Sequence, residues 1–147
     1  MEALTEALLY AASRAQHVNE LIRPALKRGC TVICDRFVDS SIAYQGYGRK
    51  LGDAVKVMNE IAVGDCVPDV TFLLKLNPAV GKGRINAAEL DRLESEQISY
   101  HNEVYQGYMA LADRYPQRII CIDADRSIEM IQNEIRGHIL DLLKLRG

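Results

Sequence analysis

Residues 31–49, TVICDRFVDSSIAYQGYGR, concentrate the side chains best able to do chemistry. The run Thr31-Val32-Ile33-Cys34 is apolar, suits a fully buried strand, and ends in Asp35-Arg36. Two charges at the tip of a buried strand are costly unless they have partners or a function. Asp39, Ser40 and Ser41 follow, all types that cap helices, and then Ala43, Tyr44, Gln45 and Gly46. Ligands of open α/β sheets sit beyond the carboxyl ends of the strands. A strand, a charged tip and a hydroxyl-rich helix start therefore suit an anion attached to a polar ring. The same residues also read as a plain Asp35–Arg36 salt bridge and a plain serine cap, and spacing leaves both open.

Taken together, Asp35-Arg36-Phe37, Ser40-Ser41 and Ala43-Tyr44-Gln45-Gly46-Tyr47-Gly48-Arg49 resemble the motif of the thymidylate kinases, within the P-loop nucleoside monophosphate kinases. Residues 6–17 (EALLYAASRAQH) are similar to that family's dTMP-binding helix. Asp91-Arg92-Leu93-Glu94 resembles the end of its lid, and Gly107-Tyr108 the helix that follows. The likeness runs over nearly the whole chain, and the central run is its specific part.

The resemblance implies a transferase of dTTP biosynthesis that moves the γ-phosphoryl group of Mg²⁺·ATP to dTMP. It implies that Arg36 contacts the dTMP phosphate, and that Asp35 orients Arg36 or reaches magnesium through water. Tyr10 would stack on thymine, at a position where the family more often has Phe. Arg14, one helical turn further on, would donate to a pyrimidine carbonyl. Ser40, Ser41 and Gln45 would hydrogen-bond near base and phosphate, and Tyr44 would pack against the sugar and crowd a 2′-hydroxyl. The residues alone also allow Tyr10 and Tyr108 as core aromatics and Arg14 as a solvated helix charge. In the lid, about residues 81–92, Arg84 and Arg92 are the catalytic candidates; Asn86-Ala87-Ala88 place no arginine between them. An arginine finger is worth about 10³–10⁵ in rate. Lys75 stands where the family usually has an acid.

These residues must be held by a scaffold. The chain has 147 residues, 48% hydrophobic and 26% charged, with net charge -2, which fits one globular domain or most of one. Charges of both signs are interspersed, so no nucleic-acid partner is expected. No apolar run is long enough for a membrane span and no signal peptide is evident, so the expectation is a cytoplasmic protein. Cys30, Cys34, Cys66 and Cys121 match no zinc spacing; reduced thiols are expected, with Cys34 and Cys121 buried in strand-like runs. His17, His101 and His138 do not cluster in sequence.

Apolar residues at steps of three or four predict a helix over about residues 3–28, interrupted at Pro24 and stopped by Gly29. A second helix should start at an Asp53 cap. Strands are expected at 31–34, 70–76 and 119–122. Further helices should run over about 93–114 and 127–143, and 81–92 should form a mobile flap. Alternation of strands with helices predicts an α/β fold, a three-layer parallel sheet with right-handed crossovers.

No G-x-x-x-x-G-K-[ST] occurs in these residues. By resemblance the sheet order is 2-3-1-4-5, with strands 3, 4 and 5 present here and strands 1 and 2 absent. The gap left by strand 1 would fall between residues 31–34 and 70–76. Each unsatisfied buried group costs about 1–3 kcal/mol, against net stabilities of about 5–15 kcal/mol. The chain is therefore expected to be a single partial, truncated domain. It would carry the dTMP-acceptor half, lack activity alone and bind ATP only if a P-loop is supplied. The alternatives are a non-catalytic nucleotide-binding remnant and one half of a split kinase. Relatives form homodimers through helices, and the first helix is the candidate surface.

Overall fold

A computed structural model describes residues 1–84 and 97–144. Helix α1, Ala3–His17, starts where the Glu2 carboxylate accepts the backbone N–H groups of Leu4 and Thr5 at 2.7 and 3.2 Å. The helix widens into a π-helical turn, Val18–Ile22, and tightens again as α2, Arg23–Lys27. Pro24 lies in the first turn of α2. Proline has no N–H to give the preceding turn, which accounts for the break in the regular ladder there. Gly29, at φ +78°, ends the helix, and Cys30 N–H reaches back to Ala25 O at 3.1 Å.

The strand expected over residues 31–34 does not form. This segment is irregular, and Ile33 is 93% exposed. A strand is a property of a ladder, and no described strand lies alongside to accept these N–H and C=O groups. The sheet of the described residues has two strands, β1 (Thr71–Lys75) and β2 (Ile119–Asp123), parallel, with Thr71 opposite Ile119 and Lys75 opposite Asp123. Ile119 and Ile122 are buried, but Leu74 and Cys121 are exposed. Cys34 is exposed as well, so the expected burial of both thiols is corrected along with the missing strand. A parallel ladder is normally covered on both faces; this one is covered only in part, with Phe72 against His138 of the last helix.

Helix α3, Val38–Ser41, continues as a π-helical segment, Ile42–Gly48. Then follow α4 (Asp53–Val63), α5 (Pro78–Arg84), α6 (Ile98–Arg114) and α7 (Ile128–Lys144). The flap expected from residue 81 thus begins as helix; residues 85–92 lie outside the described residues. Two apolar clusters hold the elements together. Val18, Ile22, Val38 and Val63 join the π-helical turn 18–22 to α3 and α4. Ala43, Tyr100 and Val104, with Tyr44 and Tyr108 against them, join α6 to the 42–48 segment. Glycine makes the second junction possible: a Cβ on Gly48 would sit 2.6 Å from the Tyr100 ring, and one on Gly107 2.8 Å from Tyr47.

Candidate functional site

The segment 38–48 is the spine of the site, and neighbouring elements meet it from several sides. Its entry is strained. Arg36 has φ +63°, and only Lys50 shares a left-handed φ among the described non-glycine residues. Such conformations cost about 1–3 kcal/mol and cluster at functional sites. The Arg36 guanidinium lies over the Tyr44 ring, 4.9 Å from its centroid, and donates to Tyr44 Oη at 3.2 Å. Tyr44 in turn meets Tyr100 and Tyr108 edge-on, with centroids 6.3 Å away in each case. The Tyr108 hydroxyl is 2.8 Å from Ser40 Oγ. Burial pushes the Tyr108 phenol up to about 12. Arg36, Ser40, Tyr44 and Tyr108 are therefore brought together.

Arg14 is not a solvated helix charge. It reaches from α1 into the junction of α3 and α4, where it bonds Asn59, Phe37 O at 3.2 Å and Ser41 Oγ at 3.0 Å. Its guanidinium lies 5.5 Å from the Phe37 ring centroid. Burial pulls its pKa down. Tyr10 is 42% exposed and so is not a core aromatic. Gln45 is buried and donates to Glu6 Oε1 at 2.8 Å. Glu6 also faces Arg49 at 3.6 Å, and Arg49 stacks 4.7 Å from the Tyr100 ring centroid.

The plain serine cap does not hold for the central residues. Phe37 is the N-cap, no side chain caps the helix, and Asp39, Ser40 and Ser41 lie inside α3. Arg36 turns to the Tyr44 ring and hydroxyl, and Asp35 is exposed beside it. Likewise Asp53 falls in the first turn of α4, where Gly52 is the cap. Lys75 is exposed at the end of β1. The Arg84 side chain and Arg92 lie outside the described residues. Two clefts, of about 490 and 280 Å³, run beside α4 and the end of α6, and neither is lined by Arg36, Ser40 or Tyr44.

Three more side chains are tied into this region: Arg118 and Glu6, to which the sequence assigns no individual role, and Asp39, which it marks only as a cap type. Asp39 is buried and gripped by Arg118, with both guanidinium nitrogens 2.7 Å from its two oxygens, and Thr71 Oγ1 donates to it at 3.3 Å. The Asp39 hydrogen bond raises the Arg118 pKa. Nothing in sequence links residues so far apart. Glu6 carries more of a signal: Glu6, Tyr10 and Arg14 repeat every fourth position and so share one helical face. Among the described residues no group of three His, Cys, Asp or Glu side chains is placed to hold a metal. A single carboxylate at Asp35 does not make a protein-held magnesium site; magnesium carried by ATP belongs to the nucleotide substrate.

A family model described as thymidylate kinase matches residues 1–135. This chain belongs to the thymidylate kinase family. A thymidylate kinase of an Exiguobacterium species (strain AT1b) is 48% identical over 149 residues, covering 100% of this chain and 70% of the relative. That of Lactobacillus helveticus is 51% identical over 139 residues, covering 92% of this chain and 66% of the relative. That of Clostridium novyi is 46% identical over 143 residues, covering 95% and 70%. The chain thus spans about two thirds of the length of these relatives. Thymidylate kinases are phosphoryl-transfer enzymes that use ATP as donor, so the chain belongs to a family of kinases. The mixed α/β architecture with its small parallel sheet is consistent with a P-loop kinase-like fold.

Proposed function

We propose that this chain acts in the transfer of a phosphoryl group from ATP to dTMP, giving dTDP for dTTP synthesis, and that its own residues hold the acceptor nucleotide. The observation that carries this reading is the Arg36–Tyr44–Tyr108–Ser40 cluster. A cation, aromatic faces and hydroxyls meet on the stretch most similar to the family motif. Arg36 takes the dTMP phosphate, with Asp35 beside it to orient it or reach magnesium through water. Tyr44 packs beneath the sugar and crowds a 2′-hydroxyl. Tyr10 stacks on the base, Arg14 exchanges Phe37 O or Ser41 for a thymine carbonyl, Ser40 hydrogen-bonds the nucleotide, and Ser41 and Gln45 supply hydrogen bonds that hold Arg14 and Glu6 behind it. Arg84 and Arg92 are the lid arginines that approach the transferring group.

The donor amides and lysine of a P-loop come from outside these 147 residues, which contain no G-x-x-x-x-G-K-[ST]. Exposed Ile33 and Leu74 support a sheet that takes further strands between residues 31–34 and β1. Leu4, Leu8 and Leu21, exposed on the first helical stretch, support a homodimer. A cytoplasmic setting follows from the proposed reaction.

Calorimetric titration of the 147-residue chain tests the acceptor site. dTMP should give saturable heat and bind at least tenfold tighter than thymidine; equal affinity would remove the phosphate contact from Arg36. Coupled ADP release on ATP and dTMP should be undetectable for this chain alone and appear on co-expression with a P-loop fragment. Turnover by the chain alone would overturn the acceptor-half reading.

A further inference from the structure

Asp39, Ser40 and Ser41 are consecutive residues of α3, and their side chains leave the helix about 100° apart. Each is fastened to a different element. Asp39 is bound to Arg118, which immediately precedes β2, and to Thr71 at the start of β1. Arg118 Nη1 also donates to Thr71 Oγ1 at 3.0 Å, closing a three-residue ring. Ser40 meets Tyr108 on α6, and Ser41 meets Arg14 on α1. The helix is pinned toward the sheet, toward α6 and toward α1.

The first of these attachments is the rigid one. A serine hydroxyl makes one adjustable hydrogen bond, whereas a forked guanidinium facing a carboxylate fixes direction as well as distance. Asp39 is 5% exposed, so the pair is little screened by water. α3 is the first turn of the helical run 38–48, where the chain has just left the strained backbone at Arg36, so its rotation depends on what its side chains hold. A side chain lies about 5–6 Å from a helix axis, so a rotation of about 10° moves a hydroxyl by about 1 Å. Displacements of that size in a reacting site cost up to about 10²-fold.

We propose that Asp39 and Arg118 are a positioning pair that sets the rotation of α3, and through it the placement of Ser40 against the bound nucleotide and of Ser41 against Arg14. Neither residue touches the ligand. The proposal rests on the reading of this site as the dTMP acceptor site. It assigns a functional consequence to an arginine 79 positions from its partner and outside every motif that resembles the family.

The test is a mutant cycle on the 147-residue chain. Kd for dTMP is measured by calorimetry at a temperature where circular dichroism shows each variant folded, and Tm is recorded without ligand. Asp39→Asn keeps the shape and removes the charge; it should raise Kd about tenfold. Arg118→Lys keeps the charge and loses the fork; it should raise Kd about threefold and stays informative should Asp39→Asn fail to fold. In a Ser40→Ala background the effect of Arg118→Lys should shrink, because the two residues act through the same contact. Lowered Tm with unchanged Kd in Arg118→Lys, or full additivity with Ser40→Ala, would overturn the positioning role while leaving the acceptor reading intact. No saturable dTMP heat from the unsubstituted chain would instead remove the acceptor reading, and this proposal with it.

Discussion

The hydroxyls of Ser40 and Tyr108 lie 2.8 Å apart across 68 positions of sequence, and this contact ties α6 to the motif segment. It also sets a pH dependence. Burial holds the Tyr108 phenol near 12, above its ordinary value of 10.0. The folded protein therefore keeps a proton that the unfolded chain gives up first. The resulting stability is fully present below about pH 10 and is lost as pH rises toward 12. Tyr108→Phe should be less stable than the parent by about 1 kcal/mol at pH 7, from the lost hydrogen bond. That deficit should narrow as pH rises from 9 to 11, because the variant no longer has the group that titrates. Urea unfolding of both proteins across this range measures it; a constant gap would contradict a buried, neutral phenol.

The Arg36–Tyr44 stack leads to a prediction about ligands. A hydrogen bond to a charged group is worth about 1.5–3 kcal/mol, or about 10–150-fold in affinity. Arg36→Met should weaken dTMP binding within that range and leave thymidine binding within about twofold of the parent. Calorimetry with both ligands checks it. Equal losses for both would mean that Arg36 supports the pocket rather than the phosphate.

Most helices and the strands at Thr71–Lys75 and Ile119–Asp123 were legible because apolar spacing and local stop signals set them within the segment itself; the helix Pro78–Arg84, which runs into the expected flap, was not. The strand expected at residues 31–34 was not, although its residues are the right type, because pairing depends on a neighbour that the segment does not encode. The serines of α3 illustrate a second limit. Ser40 and Ser41 have the composition of a cap, yet tertiary partners on α6 and α1 take their hydroxyls. Arg14 was legible as sharing a helical face with Tyr10 but not as buried, since burial depends on Asn59 and Phe37 arriving from other elements. The Asp39–Arg118 pair left no local trace at all.

Lys50 and Arg36 share one backbone strain and differ in what their side chains do. Both have left-handed φ, +59° and +63°. The conformation costs a side chain about 1 kcal/mol that glycine does not bear. Lys50 has no proposed contact with the nucleotide. Lys50→Gly should therefore raise stability by about 0.5–1 kcal/mol with dTMP affinity unchanged. At Arg36 the same change relieves the same strain and removes the proposed phosphate contact, so Arg36→Gly should lose affinity without a matching loss of stability. Denaturant midpoints and calorimetry on the two variants measure this contrast. A destabilised Lys50→Gly would show that its backbone is not the source of strain.

Two helical glycines give the last prediction, since they differ only in what surrounds them. Gly137 on α7 has nothing within 4 Å of where a Cβ would stand. Gly137→Ala gains helix propensity alone and should stabilise by about 0.5–1 kcal/mol. Gly107 on α6 faces Tyr47, whose Cγ and Cβ would lie 2.8 and 3.0 Å from the new methyl group. Swinging the ring away does not relieve the second contact, because the Tyr47 Cβ is fixed by its own backbone. Gly107→Ala must push α6 off the 42–48 segment, and overpacking of this kind costs about 1–3 kcal/mol, more than the propensity gain returns. The displacement would carry Tyr108 away from Ser40 and Tyr44, so dTMP affinity should fall together with stability. Thermal unfolding and dTMP titration of the two alanine variants decide it: opposite signs in Tm are expected, and a stabilised Gly107→Ala would mean that α6 does not seat against Tyr47 in solution.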